Sequence, residues 1–291
     1  MHDQLAFSLI ALLILGLGAC QTPPPATSTP PAKTTTADLR LYVFDCGQLT
    51  SPDISMFGIT NEQTSVRTLF VPCYLIEHPQ GRLLFDLGLP EAIAGKGEVP
   101  YGEGAVMVYH QSLVNQLAAM SITPQDIDWI SYSHSHFDHV GSANRFPGAT
   151  LLIQDVEYDA AFNHADDFEG LFVPDLYEGL RASQRQLLKG SHDVFGDGRV
   201  RLIDAPGHTP GHQVLWLDLE NTGPLVLSGD LYHFEVSRKL RSVPIFNFDK
   251  AQSLASMTKI EELLGATGAT LWIEHNQALA DTLRKAPGYY D

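Results

Sequence analysis

The sequence predicts an α/β protein layered as an αββα sandwich. Short apolar, β-prone runs alternate with stretches whose apolar residues recur at three- and four-residue spacing, the pattern of strands flanked by helices. Four of the strand-like runs end, in succession, in histidine or carboxylate side chains, and no solenoid-type repeat is visible. At 291 residues the chain can bury one large core or two small ones, and a 44% hydrophobic content is ordinary for a globular protein. The net charge of −16 disfavours nucleic acid as a partner, because phosphate neutralisation needs basic patches.

The chain opens with an apolar stretch from Leu5 to Leu17, thirteen residues long. That is too short to span a bilayer and suits the core of an export signal. The run Leu17-Gly18-Ala19-Cys20 resembles a bacterial lipobox. The resemblance implies a signal peptide over 1–20, lipidation of Cys20 and a membrane anchor there. Gln21 in place of aspartate implies sorting to the outer membrane of a Gram-negative cell, with the domain on its periplasmic or surface face. Met1-His2-Asp3-Gln4 carries no Lys or Arg, a departure from the usual basic start; an ordinary cleaved signal, or a start codon placed too late, is the alternative. Residues 21–37 are rich in Pro and Thr with almost no large apolar side chain, so they are expected to form a disordered tether.

The folded domain is expected over 38–291, starting with the strand Leu39-Arg40-Leu41-Tyr42-Val43-Phe44. Helices are expected near 112–120, 155–162, 180–188 and 251–264. Cys46 and Cys73 lie at or near early strands. An exported protein could oxidise them, but buried free thiols are the expectation. Residues 93–109 hold Gly95, Gly97, Pro100, Gly102 and Gly104 among apolar and aromatic residues. They read as a loop over a bound ligand, with Met56-Phe57 adding to the same wall; an ordinary surface loop is the alternative.

The chemistry concentrates in His134-Ser135-His136-Phe137-Asp138-His139, which follows the apolar run 127–133. His134 and His136 alternate and so project to one side of an extended segment. Imidazoles and a carboxylate in this number suit Zn²⁺ or another first-row divalent metal. Ala205-Pro206-Gly207-His208-Thr209-Pro210-Gly211-His212 follows another strand-like run, and its prolines and glycines force a tight loop that can present a histidine rigidly. Leu225-Val226-Leu227-Ser228-Gly229-Asp230 ends in a carboxylate that one metal or two could share. Leu271-Trp272-Ile273-Glu274-His275 repeats the strand-then-histidine pattern. Any one of the last three alone reads as a turn or cap; four together do not.

In this order the motifs resemble the metallo-β-lactamase superfamily over nearly the whole chain after about residue 38. Within it they most resemble the N-acyl homoserine lactone lactonases. Phe70 to Glu77 followed by Gly81 to Pro90 is similar to the opening hairpin of that group, and Ser133 to Gly141 and Leu152 to Tyr158 match its pattern. The resemblance implies a metallo-β-lactamase-type αββα sandwich and two divalent metals, zinc or another first-row ion. His134, His136 and His208 would hold one, Asp138, His139 and His275 the other, with Asp230 bridging and His212 a non-ligand. Where that group often has a tyrosine three residues after the bridging aspartate, this chain has His233 beside Tyr232; His233 is assigned the contact to the substrate oxyanion, with Tyr232 left open.

The implied activity is opening of a small-molecule lactone, an N-acyl homoserine lactone, by a hydroxide shared between the metals. Asp138 would carry the proton to the leaving oxygen. Glyoxalase II-like thioesterases carry a C-terminal helical domain, for which sixteen residues after His275 leave no room. β-Lactamases share the expected compartment but generally lack a bridging aspartate. Phosphotriester hydrolysis uses a similar metal set, and a non-catalytic metal-binding lipoprotein is the alternative outside enzymes.

Overall fold

The structure, a computed structural model, describes residues 39–168 and 170–291. The expected signal segment (1–20) and tether (21–37) lie outside the described residues. The first sheet contains β1 (Arg40–Thr50), β2 (Thr68–His78), β3 (Gly81–Leu87), β4 (Glu98–Tyr101), β5 (Ala105–Val108), β6 (Trp129–Ser131), β7 (Thr150–Gln154) and β8 (Arg185–Leu188). Their spatial order is β4-β5-β1-β2-β3-β6-β7-β8. The second sheet contains β9 (His192–Asp193), β10 (Val200–Asp204), β11 (Gln213–Leu219), β12 (Gly223–Leu227) and β13 (Thr270–Trp272), ordered β13-β12-β11-β10-β9. The last strand, β14 (Tyr289–Tyr290), returns to pair with β1.

Period-two alternation explains the layering. Along β1–β3, Val43, Tyr74, Ile76, Leu83 and Phe85 point inward and meet Leu202, Leu215, Leu225 and Trp272 of the second sheet. Their sequence neighbours Phe44, Cys73, Leu75 and Leu84 point the other way, onto α1 (Leu113–Ala119) and α2 (Asp155–Asn163) through Leu113, Leu117 and Ala160. After the short α3 (Glu235–Leu240) comes α4 (Lys250–Thr267), which covers the outer face of the second sheet. Its Met257, Ile260 and Leu264, at helical spacing, pack on Val214, Trp216 and Val226. Each such burial contributes about 2 kcal/mol. The Asp249 side chain caps the start of α4 by accepting the Gln252 N–H at 2.9 Å, and Gly268, at φ 70°, ends it. A short α5 (Gln277–Ala280) precedes β14. The result is the expected αββα sandwich.

Three expectations are corrected. Residues 180–188 do not form a helix: a 3₁₀ turn over Glu178–Ala182 leads into β8, which pairs in parallel with β7 from Leu151↔Arg185 to Gln154↔Leu188. An edge strand buries little, and Arg185, Gln186 and Leu187 are all exposed, so no alternation marked it. Residues 93–109 are not a loop but largely the hairpin β4–β5, laid against β1 through Gln48↔Val108 to Thr50↔Val106. Cys46 and Cys73 are not free thiols; they are joined, with Cα atoms 5.8 Å apart. β1 and β2 pair antiparallel at Phe44↔Cys73, and the irregularity between Asp45 and Gln48 brings Cys46 against Cys73. Closing a loop of 27 residues contributes about 3–4 kcal/mol by restricting the unfolded chain.

Candidate metal centre

The first donor of each motif sits three or four residues beyond a strand: His134 after β6, His208 after β10, Asp230 after β12 and His275 after β13. β12 and β13 are parallel and adjacent, with Leu227 opposite Trp272, so Asp230 and His275 emerge side by side. The His208 loop closes between the paired residues Asp204 and Gln213, pinned by Ala205 N–H to the His212 carbonyl at 2.8 Å.

The donors converge into two groups whose ligand atoms lie within 4.8 Å of one another: His134, His136, His208 and Asp230, and Asp138, His139 and His275. All seven side chains are buried. Asp230 faces both groups. Its Oδ2 lies 3.2 Å from His208 Nε2 and 3.6 Å from His134 Nε2; its Oδ1 lies 2.9 Å from His275 Nε2 and 3.3 Å from His139 Nε2. Asp138 Oδ2 is 3.8 Å from both His139 Nε2 and His275 Nε2.

Hydrogen bonds behind the rings set their tautomers. His139 Nδ1 donates to Asp86 Oδ2 at 2.9 Å, His208 Nδ1 to Asn247 Oδ1 at 2.8 Å and His275 Nδ1 to the Phe70 carbonyl at 2.7 Å. The Ser133 hydroxyl donates to Asp86 and so accepts from His134 Nδ1 at 3.0 Å. Each of these four rings therefore turns a lone pair at Nε2 toward the centre. His208 Nε2 lies 3.2 Å from His134 Nε2 and 3.1 Å from His136 Nδ1, an approach of basic atoms that a shared cation resolves. His139 Nε2 and Asp230 Oδ1 are buried 3.3 Å apart without a hydrogen bond, two acceptor atoms facing one another. The donor set fits divalent metal.

The chain's own charges act on the rings in opposite directions. Burial pushes His134 and His136 well below the ordinary imidazole range and holds them neutral. Burial opposes charge on His139 too, but Asp86, Asp230 and Asp138 together raise it. Burial likewise opposes ionisation of Asp230, and the surrounding histidines, His275 foremost, outweigh it and hold the carboxyl well below its usual range.

His212 is buried but stands behind the cluster: Nδ1 donates to the Ala205 carbonyl and Nε2 accepts the Asp230 N–H, both at 3.0 Å. Burial lowers it to about 3, as that bonding requires. Gly229 is needed here, since at φ 48° a Cβ would stand 2.6 Å from His212 Nε2 and 2.5 Å from Ser133 Cβ. Tyr232 is turned away, its hydroxyl donating to Glu261 at 3.1 Å. His233 faces the centre, with Nε2 3.0 Å from Asp230 Oδ2 and its ring stacked on His275.

A cavity of about 550 Å³ opens onto the cluster at His136, Asp138, Asp230, His233 and His275. Its walls come from Met56 and Phe57, the β4–β5 tip at Tyr101–Ala105, Phe137 and Phe246.

Several supporting residues escaped the sequence reading. Asp86, besides holding His139, accepts the Ser133 N–H at 2.6 Å; the parallel pairing Phe85↔Ser131 places it there. Glu157 ties two ligand loops together by accepting from Ser135 N–H, Thr209 Oγ1 and Gly211 N–H at 2.7–2.8 Å. Asn247 and Glu274 complete the set, the latter accepting the Gly229 N–H at 3.0 Å. The available signal was a lone acid at a strand end or helix start, which alone indicates a cap.

The Metallo-beta-lactamase superfamily profile matches residues 66–267. The N-acyl homoserine lactonase AttM of Azorhizobium caulinodans is 30% identical over 266 residues, covering 87% of this chain and 99% of the relative. An N-acyl homoserine lactonase from a Bacillus species is 31% identical over 231 residues, covering 77% and 88%. A solved N-acyl homoserine lactone hydrolase, with the product N-hexanoyl-L-homoserine at its catalytic metal centre, superposes with a TM-score of 0.73 at 26% identity, covering 87% of this chain and 99% of its own.

Proposed function

The chain belongs to the metallo-β-lactamase superfamily, and from that premise we propose that it is a metal-dependent hydrolase that opens the ring of N-acyl homoserine lactones and so quenches quorum signals. The observation that carries the reading is Asp230, placed within 3.6 Å of histidines from both donor groups at the floor of a ligand-sized cavity. His134, His136 and His208 would hold one ion and Asp138, His139 and His275 the other, with Asp230 shared; nitrogen and carboxylate donors of this kind suit two zinc ions. Such a pair, when bound, supplies acidified water and polarises an ester carbonyl.

The chain's own groups do the rest. Asp138 lines the cavity and can take a proton on its carboxylate and deliver it to the departing ring oxygen. Burial lowers His233 to about 4, so its ring is neutral, and the Nε2 that now lies 3.0 Å from Asp230 Oδ2 would be the donor to the oxyanion that develops on the former carbonyl. The apolar walls take the acyl chain and exclude water from it.

Purified, metal-loaded protein given N-acyl homoserine lactones should release one acid per ring opened, read by pH-stat titration. Absence of acid alongside rapid cleavage of a β-lactam or an organophosphate would sink the lactonase reading and leave the metal hydrolase.

The lipobox-like run supports a second proposal, that the mature protein is anchored through Cys20 in the outer membrane. Cys20→Ser should move it out of the membrane fraction or block its processing. Unchanged fractionation, with no lipid mass on the N-terminal peptide, would refute the anchor.

A further inference from the structure

The polar side chains of the cavity divide into those turned to the metal cluster, those already committed to the chain, and Glu103 and Tyr101, of which only Tyr101 can donate a hydrogen bond. Thr50 is bonded to Thr68, Ser51 and Ser55 to Asp53, and the Arg67 guanidinium to the carbonyls of Asn61, Thr64 and Val66. Tyr101 makes no hydrogen bond within the described residues, although it lines the same cavity. It ends β4, and its ring lies against Phe137 with centroids 4.9 Å apart. Phe137 immediately precedes Asp138, and the phenol senses the charge of that carboxylate. A tyrosine hydroxyl is a protonated, neutral donor at neutral pH. The hairpin tip permits this placement because Gly102 and Gly104 adopt φ of 62° and 70°.

We infer that Tyr101 is a specificity residue that donates its phenolic hydrogen bond to the acyl-amide carbonyl of the substrate. The inference rests on the lactone-opening function proposed above. In an N-acyl homoserine lactone the amide is borne by the ring carbon next to the reacting carbonyl. With that carbonyl over the His and Asp cluster, the amide sits a few bonds away in the same cavity, whose wall carries Tyr101 as an uncommitted neutral donor. A tyrosine there distinguishes an acylamino lactone from a plain alkyl lactone, because the latter offers no acceptor to that hydroxyl.

The test is Tyr101→Phe in the full-length, metal-loaded protein, which keeps the ring on Phe137 and removes only the hydroxyl. Steady-state kinetics are measured on an N-acyl homoserine lactone and on a γ-lactone whose alkyl chain replaces the acylamino group. KM for the acylamino substrate should rise on the order of 5- to 10-fold with kcat nearly unchanged, the signature of lost uniform binding. The alkyl lactone should be indifferent to the change. Equal losses on both would place the phenol at the ring carbonyl, and no loss on either would make Tyr101 a passive wall; either result overturns the inference. If the parent protein opens neither lactone, the function proposed above fails and takes this inference with it.

Discussion

Glu157 offers a test of how the two donor groups are held apart in their dependence on the fold. Its carboxylate, 1% exposed, joins the loop of His134 and His136 to the loop of His208 by accepting from Ser135, Thr209 and Gly211. Among the described residues it makes no hydrogen bond to Asp138, His139 or His275; His139 leans on Asp86 and His275 on the Phe70 carbonyl. Glu157→Ala orphans three buried donors, each costing about 1.5–3 kcal/mol for the loss of a charged acceptor. Water entering the vacated space recovers part of that, so the expected loss is about 3–5 kcal/mol. Glu157→Gln should cost less, about 1–3 kcal/mol: the amide oxygen can serve Thr209 and Gly211, but its NH₂ then faces the Ser135 N–H. Urea unfolding gives the stabilities, and elemental analysis after graded chelation gives the metal content. The group containing His134, His136 and His208 should lose its ion first, at roughly 10–100-fold lower chelator strength than in the parent. Simultaneous loss of both ions, or unaltered stability in the alanine variant, would refute the assignment of Glu157 to one donor group.

Asp230→Ala removes the carboxylate that both groups face, so it should strip most of the bound metal and nearly all turnover, measured by elemental analysis and acid release. His212→Ala leaves every donor in place but takes the acceptor from the Asp230 N–H. Activity should fall about 10–100-fold while the protein still binds metal, and an unchanged rate would remove His212 from the support of Asp230. His233→Ala should lower kcat on the order of 10²-fold if its ring serves the oxyanion. A change confined to KM would assign it to binding alone.

The donors themselves were legible because they are local. Three histidines and an aspartate fall within six residues, and each remaining donor follows an apolar strand in a motif readable without knowing the fold. Helix α4 was legible for a similar reason, since its apolar residues recur at helical spacing over a long stretch, although it runs three residues past the expected end at 264. The hairpin β4–β5 was not, because its glycines look like loop residues until β1 supplies the partner. The disulfide was not, because pairing depends on a β1 irregularity that brings Cys46 to Cys73.

The supporting shell was the least legible part, and the reason is sequence distance. Asp86 lies 53 residues from the ring it orients, Asn247 lies 39 from His208, and the Phe70 carbonyl lies 205 from His275. No periodicity or motif spans such gaps; only sheet register does. The parallel pairing of β3 with β6 brings Asp86 to His139, and an isolated bridge between Leu69 and Asn276 brings Phe70 to His275. A carbonyl as partner leaves no residue type to detect at all. It follows that a sequence can carry every donor of such a centre and still bind metal poorly, if a change in β3 or β6 shifts the register by one residue. Asp86 would then point to the other face and the Nδ1–H of His139 would lose its acceptor. Intact ligands are therefore weaker grounds for inferring activity than intact ligands together with an acid at position 86 and a hydroxyl at 133.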